Sequence, residues 1–271
     1  MRRMISFDCG GDQLVGSLDV ADRGTGLMIV SGGNEIRSGA HASQASIAQH
    51  FAALGHPVFR YDRRGIGESE GVNNGFETSA DDITAAVTAF RAQAPSMKKL
   101  VAFGNCDAAT ALAFFHAGIA IDALVLANPW VIEAAQNDEA ATPPTAAAIR
   151  ARYLARLKNP RSLIDLLTGK IDFKKLAGGL AKVAQKEAPS GLAARLAQAL
   201  AATTLPVHIL IADRDTTALS FMGAYKDRLF DPVRNRANVH ISMVQSASHS
   251  FADASAHTWL ADKIQTALNQ I

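Results

Sequence analysis

The sequence predicts an α/β chain: a mostly parallel sheet, entered through two antiparallel strands and interrupted late by a helical insertion. Three observations carry this expectation. Short runs rich in Val, Ile and Leu recur between amphipathic stretches, the pattern of strands buried on both faces and joined by helices. A Gly-Gly-Asp turn links the first two strand-like runs. Finally, residues 131–204 break the alternation with a series of helical patterns where a crossover usually needs far fewer residues.

In chain order, MISFDC and LVGSLDV read as a hairpin around Gly10, Gly11 and Asp12. The buried strands follow as LMIVSGG (27–33), PVFRYD (57–62), KLVAFGN (99–105), ALVLANP (123–129), VHILIAD (207–213) and VHISMVQ (239–245). Helical spacing falls near 41–54, 79–94, 107–118, 217–229 and 252–270. Between the fourth and fifth buried strands lie TPPTAAAIRARYLARL, PRSLIDLLTG, FKKLAGGLAKVAQK and SGLAARLAQAL, with Pro143, Pro144, Pro160 and Pro189 marking helix starts or connections. The expected organisation is a core of residues 1–130 and 205–271 with a helical cap at 131–204.

Composition fits one large core carrying an insertion: 271 residues, 48% hydrophobic and 19% charged. The first residues, MRRMISFDCGGD, lack the apolar stretch of a signal peptide or a membrane span, so a cytoplasmic protein is expected. Two unpatterned cysteines, Cys9 and Cys106, make no disulfide framework and are expected as free thiols. The net charge of +2 conceals an uneven distribution: residues 150–195 hold eleven basic and three acidic side chains, leaving −6 for the remainder. Such an element suits an anionic or carrier-linked acyl substrate, or proximity to an anionic membrane surface, as well as it suits a solvated helical face. Nucleic acid is not expected, because only Tyr153 and Phe173 interleave the basic residues. No His, Cys and carboxylate cluster has metal-ligand spacing and no dinucleotide fingerprint follows a strand, so neither metal nor cofactor is expected.

The chemistry-bearing stretch is Gly104-Asn105-Cys106-Asp107-Ala108, placed where a strand gives way to a helix. A sharp turn there exposes its central side chain, needs small residues two before and two after it, and sets the helix N-terminus beneath a thiolate. Taken alone, Cys106 reads equally as a small buried apolar residue. Its partners decide otherwise: IADRDTTA ends a late strand with Asp213 and Asp215, and SASHSFAD places His249 after the last one. The order nucleophile, acid, histidine is that of the α/β-hydrolases. Asp215 is preferred as the acid, since Asp213 still belongs to the strand end; the other aspartate is left to cap the following helix.

Acyl transfer also needs hydrogen-bond donors for a developing oxyanion. SGGNE, at 31–35, supplies the backbone N–H of Gly33 or Asn34, and the amide of Asp107 supplies the second. The Asp107 carboxylate is an awkward neighbour for a thiolate and is expected to turn back toward Arg63 or Arg64. DRRGIGESEG (62–71) lacks a phosphate-loop ending and reads as a structural turn, with Asp62 and Ser69 bonding to its backbone.

With SGGNEIRSGAH, FRYDRRGIGESEG and the later Phe76-Glu77, GNCDAA, LANPW, YLARL, LLTGKID and DTTA in view, the chain resembles the exosortase A system-associated hydrolases of type 1 within the α/β-hydrolase superfamily. That resemblance implies an enzyme serving envelope polysaccharide or protein sorting, and points to Glu35, Arg37 and Trp130 at the substrate. A cysteine at the turn is also similar to dienelactone hydrolases, which implies ester or lactone hydrolysis through a thiol; the long cap and Ala108 in place of glycine depart from them. A class I glutaminase is disfavoured because Phe251 stands where its carboxylate would lie, two residues after the histidine. A non-catalytic acyl-binding scaffold and an acyltransferase are the remaining alternatives.

Overall fold

The computed structural model describes residues 1–133 and 191–271. Eight strands form one sheet in the order β1-β2-β4-β3-β5-β6-β7-β8. They are β1 (Arg2–Cys9), β2 (Asp12–Asp19), β3 (Thr25–Val30), β4 (Val58–Tyr61), β5 (Lys99–Asn105), β6 (Ala123–Ala127), β7 (Val207–Ala212) and β8 (Val239–Val244). β1 pairs with β2 and β2 with β4 in antiparallel fashion, and every pair from β4 to β8 is parallel. The helices are α1 (Ser43–Ala53), α2 (Ala80–Gln93), α3 (Asp107–Phe115), α4 (Gly191–Ala202), α5 (Thr216–Tyr225), α6 (Asp231–Arg234) and α7 (Ala254–Asn269).

Strand side chains alternate between two cores, as the period-2 pleat requires. In β3, Met28 and Val30 enter one cluster while Leu27 and Ile29 enter the other; in β5, Leu100 and Ala102 oppose Val101 and Phe103. The first cluster takes Phe90 of α2, Leu112 of α3, Leu196 of α4 and Phe221 of α5. The second takes Phe51 of α1 and Leu260 and Ile264 of α7. Each large apolar side chain buried this way contributes about 1.5–3 kcal/mol.

Two expectations need correction. β8 is not buried on both faces: among the described residues it pairs only with β7, at the sheet edge, and Ile241 and Met243 are exposed. The helix expected at 217–229 ends at Tyr225, after which a short turn and α6 bring Phe230 and Val233 into the core. Within the expected cap, α4 packs against α3 through Ala193, Leu196, Ala197 and Leu200, so the core itself holds this last piece. The other cap segments lie outside the described residues. Among the described residues no helix is long and apolar enough to cross a membrane.

The parallel strands β3, β5, β6 and β7 deliver their carboxyl ends to one edge, where ligands of open α/β sheets bind. At the end of β5 the chain turns directly into α3, which folds back over the strand. A Cβ at Gly104 would lie 2.8 Å from the Ala108 carbonyl carbon and 2.9 Å from the Ala109 nitrogen, both backbone atoms with little room to yield. Gly104→Ala is therefore expected to lower stability by about 1–3 kcal/mol through overpacking. Urea unfolding checks this, and an unchanged midpoint would contradict it.

Candidate active site

Cys106 occupies the turn between β5 and α3 with φ 64° and ψ −129°, a left-handed conformation strained for a residue carrying a Cβ. Its backbone is pinned from both directions: its N–H donates to the Ala127 carbonyl at 3.0 Å, and its carbonyl accepts from Ala109 at 3.1 Å and Trp130 at 3.2 Å. The side chain is half-buried, and both cysteines are free. Cys9 is a different kind of thiol. It is buried against Asp82, and burial together with that carboxylate pushes it up to about 11.

His249 reaches the site from the loop after β8. Its Nδ1 lies 3.1 Å from Asp215 Oδ2, and the Cys106 side chain is near enough to favour its charged form. Burial alone would lower the imidazole, but the hydrogen bond to Asp215 and the neighbouring Cys106 outweigh it and push His249 up to about 10. The loop is anchored one turn further on: Phe251 adopts φ 54°, is fully buried and stacks on Trp259.

The two candidate aspartates part company here. Asp215 faces His249, and the same Oδ2 accepts the Ala218 N–H at 3.0 Å, so one buried carboxylate both caps α5 and orients the imidazole. Asp213, left to cap the helix by sequence reasoning, instead accepts the Ser246 N–H at 3.2 Å and ties β7 to the histidine loop.

Two asparagines that sequence reasoning assigned no role support the histidine. Asn105 donates its side-chain amide to the His249 carbonyl at 3.0 Å, and Asn128 donates to the same carbonyl at 3.3 Å while accepting the Ala212 N–H at 2.9 Å. Asn128 is fully buried with φ 41°, which asparagine tolerates better than most residues. Both stand inside GNCDAA and LANPW, and an asparagine where a strand end meets a loop was the available signal.

The loop at 31–35 crosses the turn closely: a Cβ at Gly32 would lie 2.6 Å from the Asn105 carbonyl oxygen and 2.7 Å from Asp107 Oδ1. The expected donor Gly33 is exposed, but its N–H is not open. It donates to Asp107 Oδ1 at 2.7 Å. The carboxylate does turn toward Arg63, whose Nη2 is 3.8 Å from Oδ2 and donates to the Gly33 carbonyl. The Asn34 and Asp107 N–H groups have no acceptor among the described residues.

Of the expected substrate contacts, Glu35 accepts from Gln44 beside the loop at 3.4 Å, and Trp130 is half-buried with its backbone strapped to Cys106 and to Thr110. Arg37 is engaged elsewhere. Its guanidinium holds Asp62, Glu68 (2.5 Å) and Ser17 (3.1 Å), and its N–H also reaches Asp62. Arg37 locks the segment after the 31–35 loop onto the 62–71 turn. That turn has the structural role expected of it, with Ser69 Oγ donating to the Asp62 carbonyl at 2.7 Å. Among the described residues no group of three His, Cys, Asp or Glu could hold a metal ion.

An esterase of Pyrococcus furiosus superposes over all of this chain and 91% of its own, with a TM-score of 0.65 at 14% identity. The thioesterase domain from the curacin biosynthetic pathway matches 98% of this chain and 99% of its own, with a TM-score of 0.60 at 14% identity. Est1E of Butyrivibrio proteoclasticus, solved with ferulic acid bound, matches 98% of this chain and all of its own, with a TM-score of 0.59 at 15% identity. At these identities the likeness is one of fold. No curated protein shows significant sequence similarity to the chain. The model of the family described as serine aminopeptidase, S33, matches residues 26–262. With nearly the whole chain matched and the sheet and its loops laid out as that fold requires, the chain belongs to the serine aminopeptidase S33 family of the α/β-hydrolases, with Cys106 at the turn between β5 and α3.

Proposed function

We propose that the protein is a hydrolase that uses Cys106 as nucleophile on an ester, thioester or lactone. The observation that carries this is the hydrogen-bonded pair Asp215–His249 beside Cys106 at a strained strand-to-helix turn. Cys106 Sγ bonds to the acyl carbon as the carbonyl electron pair moves onto oxygen. Collapse breaks the bond to the leaving group, which departs with the proton of His249. Water, giving its proton to His249, then attacks the thioester and releases the acid and the thiolate. Asp215 keeps the ring oriented and its charge balanced. The Asn34 and Asp107 N–H groups serve the developing oxyanion, joined by the Gly33 N–H once the Asp107 carboxylate releases it. An acyltransferase would differ only in the acceptor that replaces water.

The acyl group is small and carries a phosphate, carboxylate or carrier. The support is the +8 segment at 150–195, of which only Arg195 falls among the described residues. The resemblance of GNCDAA, LANPW and the cap pieces to exosortase-associated hydrolases supports a place beside exopolysaccharide and exosortase systems, at the cytoplasmic side of the envelope.

Incubation with an activated aryl ester and a cysteine-directed alkylator, with mass-spectrometric mapping, tests the core of this. Label is expected at Cys106, absent in Cys106→Ala and slowed at least about 100-fold in His249→Ala. Labelling indifferent to His249 would favour the non-catalytic scaffold.

A raised histidine has a definite sign. The folded state holds the His249 proton more tightly than the unfolded chain does. Its stabilising contribution is therefore full below about pH 6.5 and disappears as pH rises through about 10. NMR titration is expected to show His249 protonated well above neutrality, and Asp215→Asn is expected to move the midpoint down. A wild-type midpoint near 6.5 would contradict the geometry.

Should the basic segment recruit an anionic acyl compound, kcat/KM for that compound falls steeply with added salt while a neutral aryl ester is unaffected. Equal salt response of the two would leave the segment a solvated surface.

A further inference from the structure

The feature left unused by the mechanism is the carboxylate inside its own oxyanion loop. Asp107 follows the nucleophile, and its Oδ1 takes the Gly33 N–H at 2.7 Å, a charge-assisted distance. A carboxylate is itself an oxyanion, so it is a natural internal occupant of such a donor. Its other oxygen lies 3.8 Å from Nη2 of Arg63, a buried guanidinium whose same nitrogen donates to the Gly33 carbonyl. The carboxylate thus has two partners within reach, one at each oxygen.

We propose that Asp107 is a specificity-determining residue that closes the oxyanion hole until substrate arrives, and that Arg63 is the partner to which its carboxylate retreats. The inference rests on the acyl-transfer reading above. As Sγ bonds to the acyl carbon and the carbonyl oxygen gains charge, that oxygen and the Asp107 carboxylate compete for one N–H. Repulsion then drives the carboxylate toward Arg63. A reaction that must first vacate its own hole favours acyl groups whose leaving group departs readily. The substrate class is therefore thioesters and activated esters ahead of alkyl esters.

The test uses the full chain and Asp107→Ala. A ¹⁵N–¹H spectrum reads the contact without substrate: the Gly33 amide proton is expected to shift upfield in Asp107→Ala, and an unchanged position overturns the proposal. Acylation of Cys106 by a p-nitrophenyl ester is compared with alkylation by iodoacetamide, which requires the same sulfur but no oxyanion donor. The acylation-to-alkylation ratio is expected to rise about tenfold in Asp107→Ala, and the preference for an aryl thioester over the matching ethyl ester is expected to shrink. A ratio that stays level or falls would leave Asn34 as the working donor and overturn the gate. Arg63→Lys is expected to slow acylation in the wild-type background and not in Asp107→Ala. An equal loss in both backgrounds would make Arg63 purely structural and remove it from the gate. Failure of the nucleophile reading looks different: iodoacetamide labels Cys106 but no ester acylates it in either form, while the amide spectrum still decides the contact.

Discussion

The site depends on one backbone constraint, the left-handed turn at Cys106 that converts β5 into α3 without an intervening loop. A turn this tight fixes its neighbours one by one. Gly104 must lack a side chain because the first turn of α3 lies on top of it. Asn105, the last residue of the strand, has its amide aimed across to the histidine loop. Asp107, the first residue of the helix, presents its carboxylate to the loop at 31–35. Such strain persists only where its surroundings over-determine it. Here they do so through three backbone hydrogen bonds on Cys106 itself and the fully buried alanines of α3 behind it.

The remaining parts arrive on separate strands, so their alignment is a matter of cross-links between loops. The His249 carbonyl is shared by Asn105 and Asn128, which join the ends of β5 and β6 to the segment after β8. Asn128 also grips the end of β7, and Asp213 ties β7 to Ser246. Every one of these bonds involves backbone on at least one side. A loop held by its main chain leaves the imidazole free to face Asp215 on one side and sulfur on the other.

The sequence made the frame legible because strand and helix periodicities are local: β4, β5, β6 and β7 lie within the runs expected for them, and β3 begins two residues before its own. The candidate residues Cys106, Asp215 and His249 were legible because each follows a strand, at once or within a few residues, in a fixed chain order. What escaped was decided by three-dimensional pairing. Arg37 reads as a free cation until Asp62, Glu68 and Ser17 are seen around it, two of them far along the chain on a different turn. Gly33 reads as an open donor until the helix across from it delivers Asp107. The exposure of Ile241 and Met243 depends on β8 being the last strand, which no residue of β8 encodes. Asn105 and Asn128 sat in quoted motifs, yet an amide has no preferred partner type, so its target had to be seen.

Charge placement shows how a site with two carboxylates is compatible with the proposed thiolate chemistry. Left bare, Asp107 would repel both a thiolate and an oxyanion, and Asp215 would add to the field. Each is answered by a different cation: Asp215 by His249 at 3.1 Å, and Asp107 by Arg63 at 3.8 Å. The pairings lie in two compartments, one behind the imidazole and one behind the oxyanion loop. Arg63 is buried, so its attraction for Asp107 is screened less than an exposed pair would be. The protonated His249 can then serve the sulfur without being claimed by the nearer carboxylate in the chain. Exchanging Arg63 for a neutral residue would leave Asp107 with the Gly33 N–H as its remaining counterweight, on the side where negative charge develops.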